Sequence, residues 1–444
     1  MSSDLLSIGA SGLRAYKTAL GAVGDNIANA QTVGYARRSA RLTEVSSGAG
    51  QSVLYRNIDR FDGVEVQAID RATDQFRTGE ARLASAADGK AKAISDWMAV
   101  TEGALSDGDN GVGASLARVF AAGDALAADP VARQPRTGFL SAIDEAAQTI
   151  RTSAGDLQRA GAGVADAAQT SVDGVNAALT TLADINLAIR HSGPGTASFV
   201  ELSDQRDALI DRVSNQLNVD IIVGSDGTTA LSSNGIGLLS GGANETLNLT
   251  IAADGRLSIA ANGTPLIPTG GALAGLATAA TVIADRRVAL DDMATDFAGA
   301  INQWQATGQT AAGVPGVSLI AVTGGAIALT VLTTDPDAVA AASATGTANG
   351  NALNLASVRA TSDVEGQWTN LVGAQAQATS SATVQRATTT ARLTTANAAR
   401  DGVEGVDLDH EAADLLRFQQ GYEGSARIVQ ITKELLDTIM GLFR

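Results

Sequence analysis

The chain has 444 residues, long enough for about three compact units, and 45% of them are hydrophobic but only 3% aromatic, so Ala and Val must do much of the burying. Its 31 basic and 47 acidic residues leave a net charge of −16, which argues against nucleic acid as a partner because nothing is gained from phosphate counterion release. The absence of Cys excludes disulfides, thiolate chemistry and Cys-ligated zinc. No run approaches the ~20 apolar residues that cross a bilayer, so no membrane insertion is expected, and the opening residues do not resemble a cleaved secretory signal.

Near the N-terminus Leu6, Leu13, Leu20 and Ile27 recur every seven residues, with Gly9, Tyr16, Val23 and Ala30 three positions after each. This predicts an amphipathic helix with a narrow seam. Residues 88–106 and 113–129 read as short helices, the second stopped by Asp129-Pro130. A long helical pattern then runs from Phe139 to Ile189 and breaks at His191-Ser192-Gly193-Pro194-Gly195. Another helix covers about 198–216. From Val219 to about Pro268, β-favouring stretches alternate with turns at Gly224-Ser225-Asp226-Gly227, Ala253-Asp254-Gly255 and Asn262-Gly263. Helices are expected again over 281–306 and 364–400, with a second β-like stretch from Val317 to Thr333. At the C-terminus Leu408, Leu415, Tyr422, Val429, Leu436 and Phe443 hold a seven-residue spacing along a helix of about 50 Å. Isolated helices are marginal in water, and the simplest partner for the first helix is the last. The two seams are the expected subunit-interaction positions.

The residues offer little chemistry. His410-Glu411-Ala412-Ala413-Asp414 has Asp where a zinc-binding helix needs its second His. Asp107-Gly108-Asp109-Asn110-Gly111 opens like a calcium loop, but Arg118 stands where the bidentate Glu belongs, and a solvated turn is the better reading. No Gly-rich stretch is followed by the Lys and Ser or Thr of a phosphate loop. Asp204, Arg206, Asp207, Asp211 and Arg212 lie three to four apart and read as ordinary pairing on one helix surface. No catalytic residue, cofactor or metal is expected.

At the termini the details become specific. The run from Asp25 to Arg37, with Asn26-Ile27-Ala28-Asn29 and then Gly34-Tyr35, resembles the N-terminal signature of flagellar rod, hook and junction subunits. Val33 replaces that family's usual Pro and Ala36 its usual Ser. Asn29 can terminate a helix, and Gly34 can take the backbone where a side chain would clash. Gly63-Val64-Glu65-Val66, Ile69-Asp70-Arg71, Leu202-Ser203-Asp204-Gln205-Arg206-Asp207 and Val406-Asp407-Leu408-Asp409-His410-Glu411 are similar to segments of the hook–filament junction branch, with His410 in place of its common Glu. Asn26, Asn29, Gly34 and Tyr35 are the signature positions.

The resemblance implies a structural subunit, not an enzyme, at the junction between hook and filament. Its copies would form a helical or ring-like assembly with hook protein below and a second hook-associated protein above. It would be held by a cytoplasmic export chaperone and exported to the extracellular flagellum by the flagellar type III apparatus. The expected fold is mainly α and nested: paired terminal coiled-coil helices from 1–40 plus 405–444, a helical middle domain from 41–216 plus 280–404, and a small outer β domain over 217–279. Another flagellar axial subunit, the hook protein or the second hook-associated protein, is the alternative within the family. A soluble coiled-coil adhesin or a secreted lytic factor is the alternative outside it.

Overall fold

Ala-rich sequence favours helix at small steric cost, and long helices make up most of the chain. The computed structural model describes residues 2–32, 34–46 and 61–442. Val33 and Phe443, both singled out above, lie outside them. The helices are α1 (Ser2–Asn29), α2 (Gln75–Ala104), α3 (Val112–Ala128), α4 (Arg133–His191), α5 (Ala197–Gln216), α6 (Ala272–Thr307), α7 (Leu355–Ser362), α8 (Val364–Glu404) and α9 (Leu408–Leu442). The expected breakers act where they were placed: α3 stops at Ala128 before Asp129-Pro130, and α4 stops at His191 before the Gly-Pro-Gly cluster. The chain divides into two units, one of Met1–Ala86, Gly174–Thr246 and Thr390–Arg444, the other of Ala87–Asp173 and Leu247–Thr389.

In the first unit α1 runs antiparallel to α9. The buried face of α1 consists of small residues, among them Ser11, Gly12, Ala15, Ala19 and Ala22, with Val23 and Asn26. A Cβ at Gly9 would sit 2.7 Å from Val429, and one at Gly12 would run into the Ser425 hydroxyl. The helices therefore touch where side chains are smallest. This corrects the expected seam. Leu6, Ile27, Leu408, Tyr422 and Leu436 are exposed, while Leu13, Leu20, Leu415 and Val429 are half-buried. The buried row of α1 lies one residue earlier, at Gly12, Ala19 and Asn26, and on α9 Glu411, Ser425 and Thr432 are buried. Large apolar residues were read as the inside of the pair, yet close backbone approach leaves no room for them there.

Two strands not anticipated from the sequence, β1 (Arg38–Ser46) and β2 (Phe61–Arg71), pair antiparallel with register shifts after Arg41 and Glu44. The Val64 N–H donates to Ser11 Oγ at 3.2 Å and ties the pair to α1. Strands β3 (Asp220–Val223), β4 (Thr229–Ser233), β5 (Ile236–Ser240) and β6 (Ala243–Asn244) form an antiparallel sheet in that order. Asn186 of α4, fully buried, accepts from the Thr229 N–H at 2.9 Å and donates to the carbonyls of Thr229 and Gly241 at 2.8 and 2.7 Å. Its amide replaces a neighbouring strand at that point.

The second unit carries an extensive hydrophobic core. Phe139 of α4 packs edge-on against Trp304 of α6 with ring centroids 5.2 Å apart, among Leu116, Val119, Ile143, Phe297, Ile301 and Trp368. Strands β7 (Leu247–Ile251), β8 (Leu257–Ala261) and β9 (Thr264–Leu266) form a second antiparallel sheet, with Asn262-Gly263 turning its last hairpin. The expected single β domain over 217–279 is thus divided, β3–β6 belonging to the first unit and β7–β9 to the second. Helix α6 also starts at Ala272, inside that range, because Ala and Gly residues there pack as helix. The second β-like stretch forms the pair β11 (Ile320–Val322) and β12 (Leu329–Val331), beside the short pair β10 (Gly308–Gln309) and β13 (Ala342–Ser343).

Phe139→Ala removes a fully buried ring from a close-packed core and is expected to lower stability by about 3–5 kcal/mol. Leu353→Ala, at a residue 61% exposed, is expected to change it by less than ~0.5 kcal/mol. Urea unfolding of the two variants checks both figures.

Candidate functional site

The chain ends meet at Asn26. It is fully buried near the end of α1 and uses its whole amide. Its Oδ1 accepts from the Tyr35 hydroxyl at 2.8 Å and from the Arg38 N–H at 2.9 Å. Its Nδ2 donates to the Arg38 carbonyl at 2.8 Å and to Glu411 Oε2 at 2.9 Å. One side chain therefore joins α1, the turn after it, β1 and α9. Asn29 stays outside and donates to the Asp25 carbonyl at 2.9 Å, as a helix-end residue should. Gly34 has φ 81°, but a Cβ there would meet nothing within 4 Å. The turn needs the left-handed backbone and not the empty space, which corrects the clash expected above.

Burial pushes the Tyr35 phenol up to about 12, against the pull of the Arg38 guanidinium 5.1 Å from its ring. The phenol is held neutral and can donate to Asn26. Of the neighbouring residues, His410 is exposed, with Nε2 3.9 Å from Asp414. Asp407 caps α9, its Oδ1 accepting from the N–H groups of Asp409 at 2.9 Å and His410 at 3.3 Å. The residue of this segment that bridges to α1 is Glu411, which sequence reasoning passed over.

Beside Asn26 the expected surface pairing on α5 is instead a network between elements. Arg38 Nη2 lies 2.6 Å from Asp204, and Arg71 lies 2.7 Å from Asp204 and 2.9 Å from Asp207. The Arg71–Asp204 contact through Nε is an ion pair without an aligned hydrogen bond. Arg82 of α2 and Arg400 of α8 hold Asp211 at 2.6 and 3.0 Å. Arg206 pairs with Asp207 at 3.0 Å within the helix and donates to the Gly227 carbonyl at 2.6 Å, while Arg212 is exposed and outside the network. These side chains are mostly buried, so the pairs are screened far less than surface pairs. Burial alone would raise the Asp207 carboxyl, but Arg206, Arg71 and Arg82 outweigh it and hold it below the usual range. The sequence did carry a signal for β2, since Val64, Val66 and Ala68 alternate with Glu65 and Gln67. That strand delivers Arg71. Nothing local marked Arg82 or Arg400.

The arrangement clamps helices and strands together. Among the described residues no group of three His, Asp or Glu is set to hold a metal.

A family profile described as the flagellar hook-associated protein FlgK helical domain matches residues 98–319, half of the chain. The chain belongs to the FlgK family. A FlgK-family relative, flagellar hook-associated protein 1 of Bacillus subtilis, is 25% identical over 96% of this chain and 96% of its own length. Its namesake from Salmonella typhimurium is 29% identical over 72% of this chain, which spans 60% of that relative. The solved structure of the flagellar hook junction protein FlgK from Burkholderia pseudomallei superposes with a TM-score of 0.66, covering 73% of this chain and all of that one at 14% identity. That likeness supports the mainly α fold.

Asn26→Ala strands the Glu411 carboxylate and the Tyr35 hydroxyl and is expected to cost about 3 kcal/mol, read by urea unfolding followed through helical circular dichroism. Because the folded state lowers the pKa of Asp207, its stabilisation is complete above the unfolded value of about 3.9 and is lost as pH falls from there through the folded one. The stability gap between the natural chain and Asp207→Asn should accordingly be constant from neutral pH down to about 5 and shrink below about 4.

Proposed function

We infer that the chain is a structural subunit of the bacterial flagellum at the junction between hook and filament. Membership of the FlgK family carries the reading, and the fold supports it. Both chain ends are spent on a helix pair whose inner face is closed by small residues and whose large apolar residues are left outside. Leu6, Ile27, Leu408, Tyr422 and Leu436 are exposed, and Ile431, Ile439 and Met440 extend the apolar surface of α9. Large apolar side chains left exposed in this number on one helix pair mark a protein contact. Neighbouring copies cover it, packing the ends in coiled-coil fashion, so that 1–40 with 405–444 makes the axial layer.

In this reading hook protein lies below the assembly and a second hook-associated protein above it. The ends are kept by a cytoplasmic chaperone before export through the flagellar type III apparatus. A chain free of Cys suits passage into an oxidising space. The relatives bear the name of hook-associated protein 1, which favours this subunit over the hook protein or the second hook-associated protein.

The test uses a strain lacking the gene. It should show attached hooks without filaments and shed flagellin into the medium, and the natural gene should restore filaments. Leu408→Asp and Leu436→Asp place a carboxylate on surface that is exposed in the free chain and buried in the assembly, where it costs several kcal/mol. Both variants should melt like the natural protein and be exported at normal levels, yet leave bare hooks. Normal filaments with either variant would overturn the contact assignment.

A further inference from the structure

The four-stranded sheet of the first unit ends on β3, and its register decides which backbone groups are left over. The Gly224 N–H donates to the Thr228 carbonyl at 2.8 Å, just beyond the strand pair. With the two-residue alternation of an antiparallel ladder, Ile222 is then hydrogen-bonded to Ala230, and Val223 opposite Thr229 is not. Thr229 agrees, for its N–H and carbonyl turn the other way and meet Asn186. The N–H and C=O groups of Ile221 and Val223 therefore point away from β4. Both residues, with Val219, line a cavity of about 1010 Å³ in the same unit.

The cavity holds unfinished polar contacts. Ser214, 2% exposed, lines it, and its Oγ has no hydrogen-bond partner among the described residues. Arg82 Nη2 also lacks a hydrogen bond, although it lies 3.7 Å from Asp207. The arginines of the wall are occupied by the α5 carboxylates described above. The exposed charges at the rim are instead acidic: Asp220, Asp401, which lies 3.7 Å from Arg400, and Asp407, the cap of α9. Beside them the Ile222 side chain is 68% exposed. An open strand edge with apolar side chains is a template for another strand. From Val219 to Val223 that edge spans about 17 Å at ~3.3 Å per residue, enough for five or six residues of an extended chain.

We propose that β3 is a docking edge where an extended, cationic segment of another polypeptide adds to the sheet as a further strand. Its backbone pairs with Ile221 and Val223, and its Lys or Arg side chains meet the acidic rim. Charge selects this occupant over a second copy of the chain, whose net charge of −16 matches the sign of the rim. The site does not depend on where in the flagellum the subunit sits.

A fluorescein-labelled peptide, Thr-Lys-Val-Lys-Val-Lys-Thr, titrated into the full chain and followed by anisotropy, tests the proposal. Binding is expected, about tenfold or more weaker when Glu replaces Lys, and about tenfold weaker when alternate peptide nitrogens are methylated in the pairing register. Asp220→Asn and Asp401→Asn should weaken binding and flatten its salt dependence. Val223→Pro removes an outward N–H at an edge position that tolerates proline, so it should weaken binding about tenfold without moving the melting temperature. If that variant fails to fold, the methylated peptides against the natural protein decide the question. Failure of the Lys peptide to bind overturns the proposal, as does equal binding of the methylated peptides, which would leave charge attraction alone. A dimer of the chain itself that excludes the peptide and is lost in Val223→Pro would make a second copy the occupant and overturn it as well.

Discussion

The first unit depends on one amide. Asn26 is fully buried with two donors and two acceptor positions, and four partners from α1's own turn, β1 and α9 meet them. A hydrophobic residue there would leave the Glu411 carboxylate, the Tyr35 hydroxyl and two backbone groups without partners in a dry place. A charged one would face Glu411 or Arg38. Asn alone among the short side chains supplies both kinds of group in a planar pair, so it can stand in for a piece of backbone. The Arg–Asp network beside it then fixes α2, α5 and α8 around the same corner, each charge having an opposite one within reach.

The same device recurs at several places where the described chain leaves regular structure. Asn186 completes the edge of β4. Asn302 accepts from the N–H groups of Leu319 and Ile320 and donates to the Ile320 carbonyl, fastening β11 to α6. Gln305 and Asn351 satisfy the backbone around Ala338 and Ala340, and Asn351 also takes the Trp304 indole N–H at its carbonyl. Buried irregular backbone is costly unless paired, and these carboxamides pair it, Asn186, Asn302 and Gln305 from within a helix and Asn351 from a turn. Small Ala and Gly side chains bring backbones close, and the amides then bridge the short gaps that remain.

Elements with a strong period were legible in the sequence. Helices α3, α4 and α5 lie within a few residues of where their apolar spacing and breakers put them, and the hairpin turns of the β region fall at the Gly-containing steps named for them. The pairing of the first and last helices was also legible. Its inner face was not, because a heptad of Leu is a louder signal than one of Gly, Ala and Asn, although the latter is what two close backbones can accommodate. The network on α5 was misread for a related reason. Charges three and four apart on a helix look self-sufficient, and only the fold brings Arg38, Arg71, Arg82 and Arg400 to them from distant parts of the chain. The division of the β region between two units had no local mark at all.

The bond between Asn26 and Glu411 spans 385 positions of the chain. Synthesis proceeds from the N-terminus, so the small-residue stripe of α1 is complete long before its partner exists, and the first unit cannot close until α9 has been made. The second unit needs nothing beyond Thr389 and can fold while α9 is still being added. Contacts of such separation slow folding, but the loop-closure term grows only logarithmically with length, and a folded second unit leaves far less free chain to be ordered. The connectivity thus favours one order, in which the inserted unit forms first and the ends find each other last.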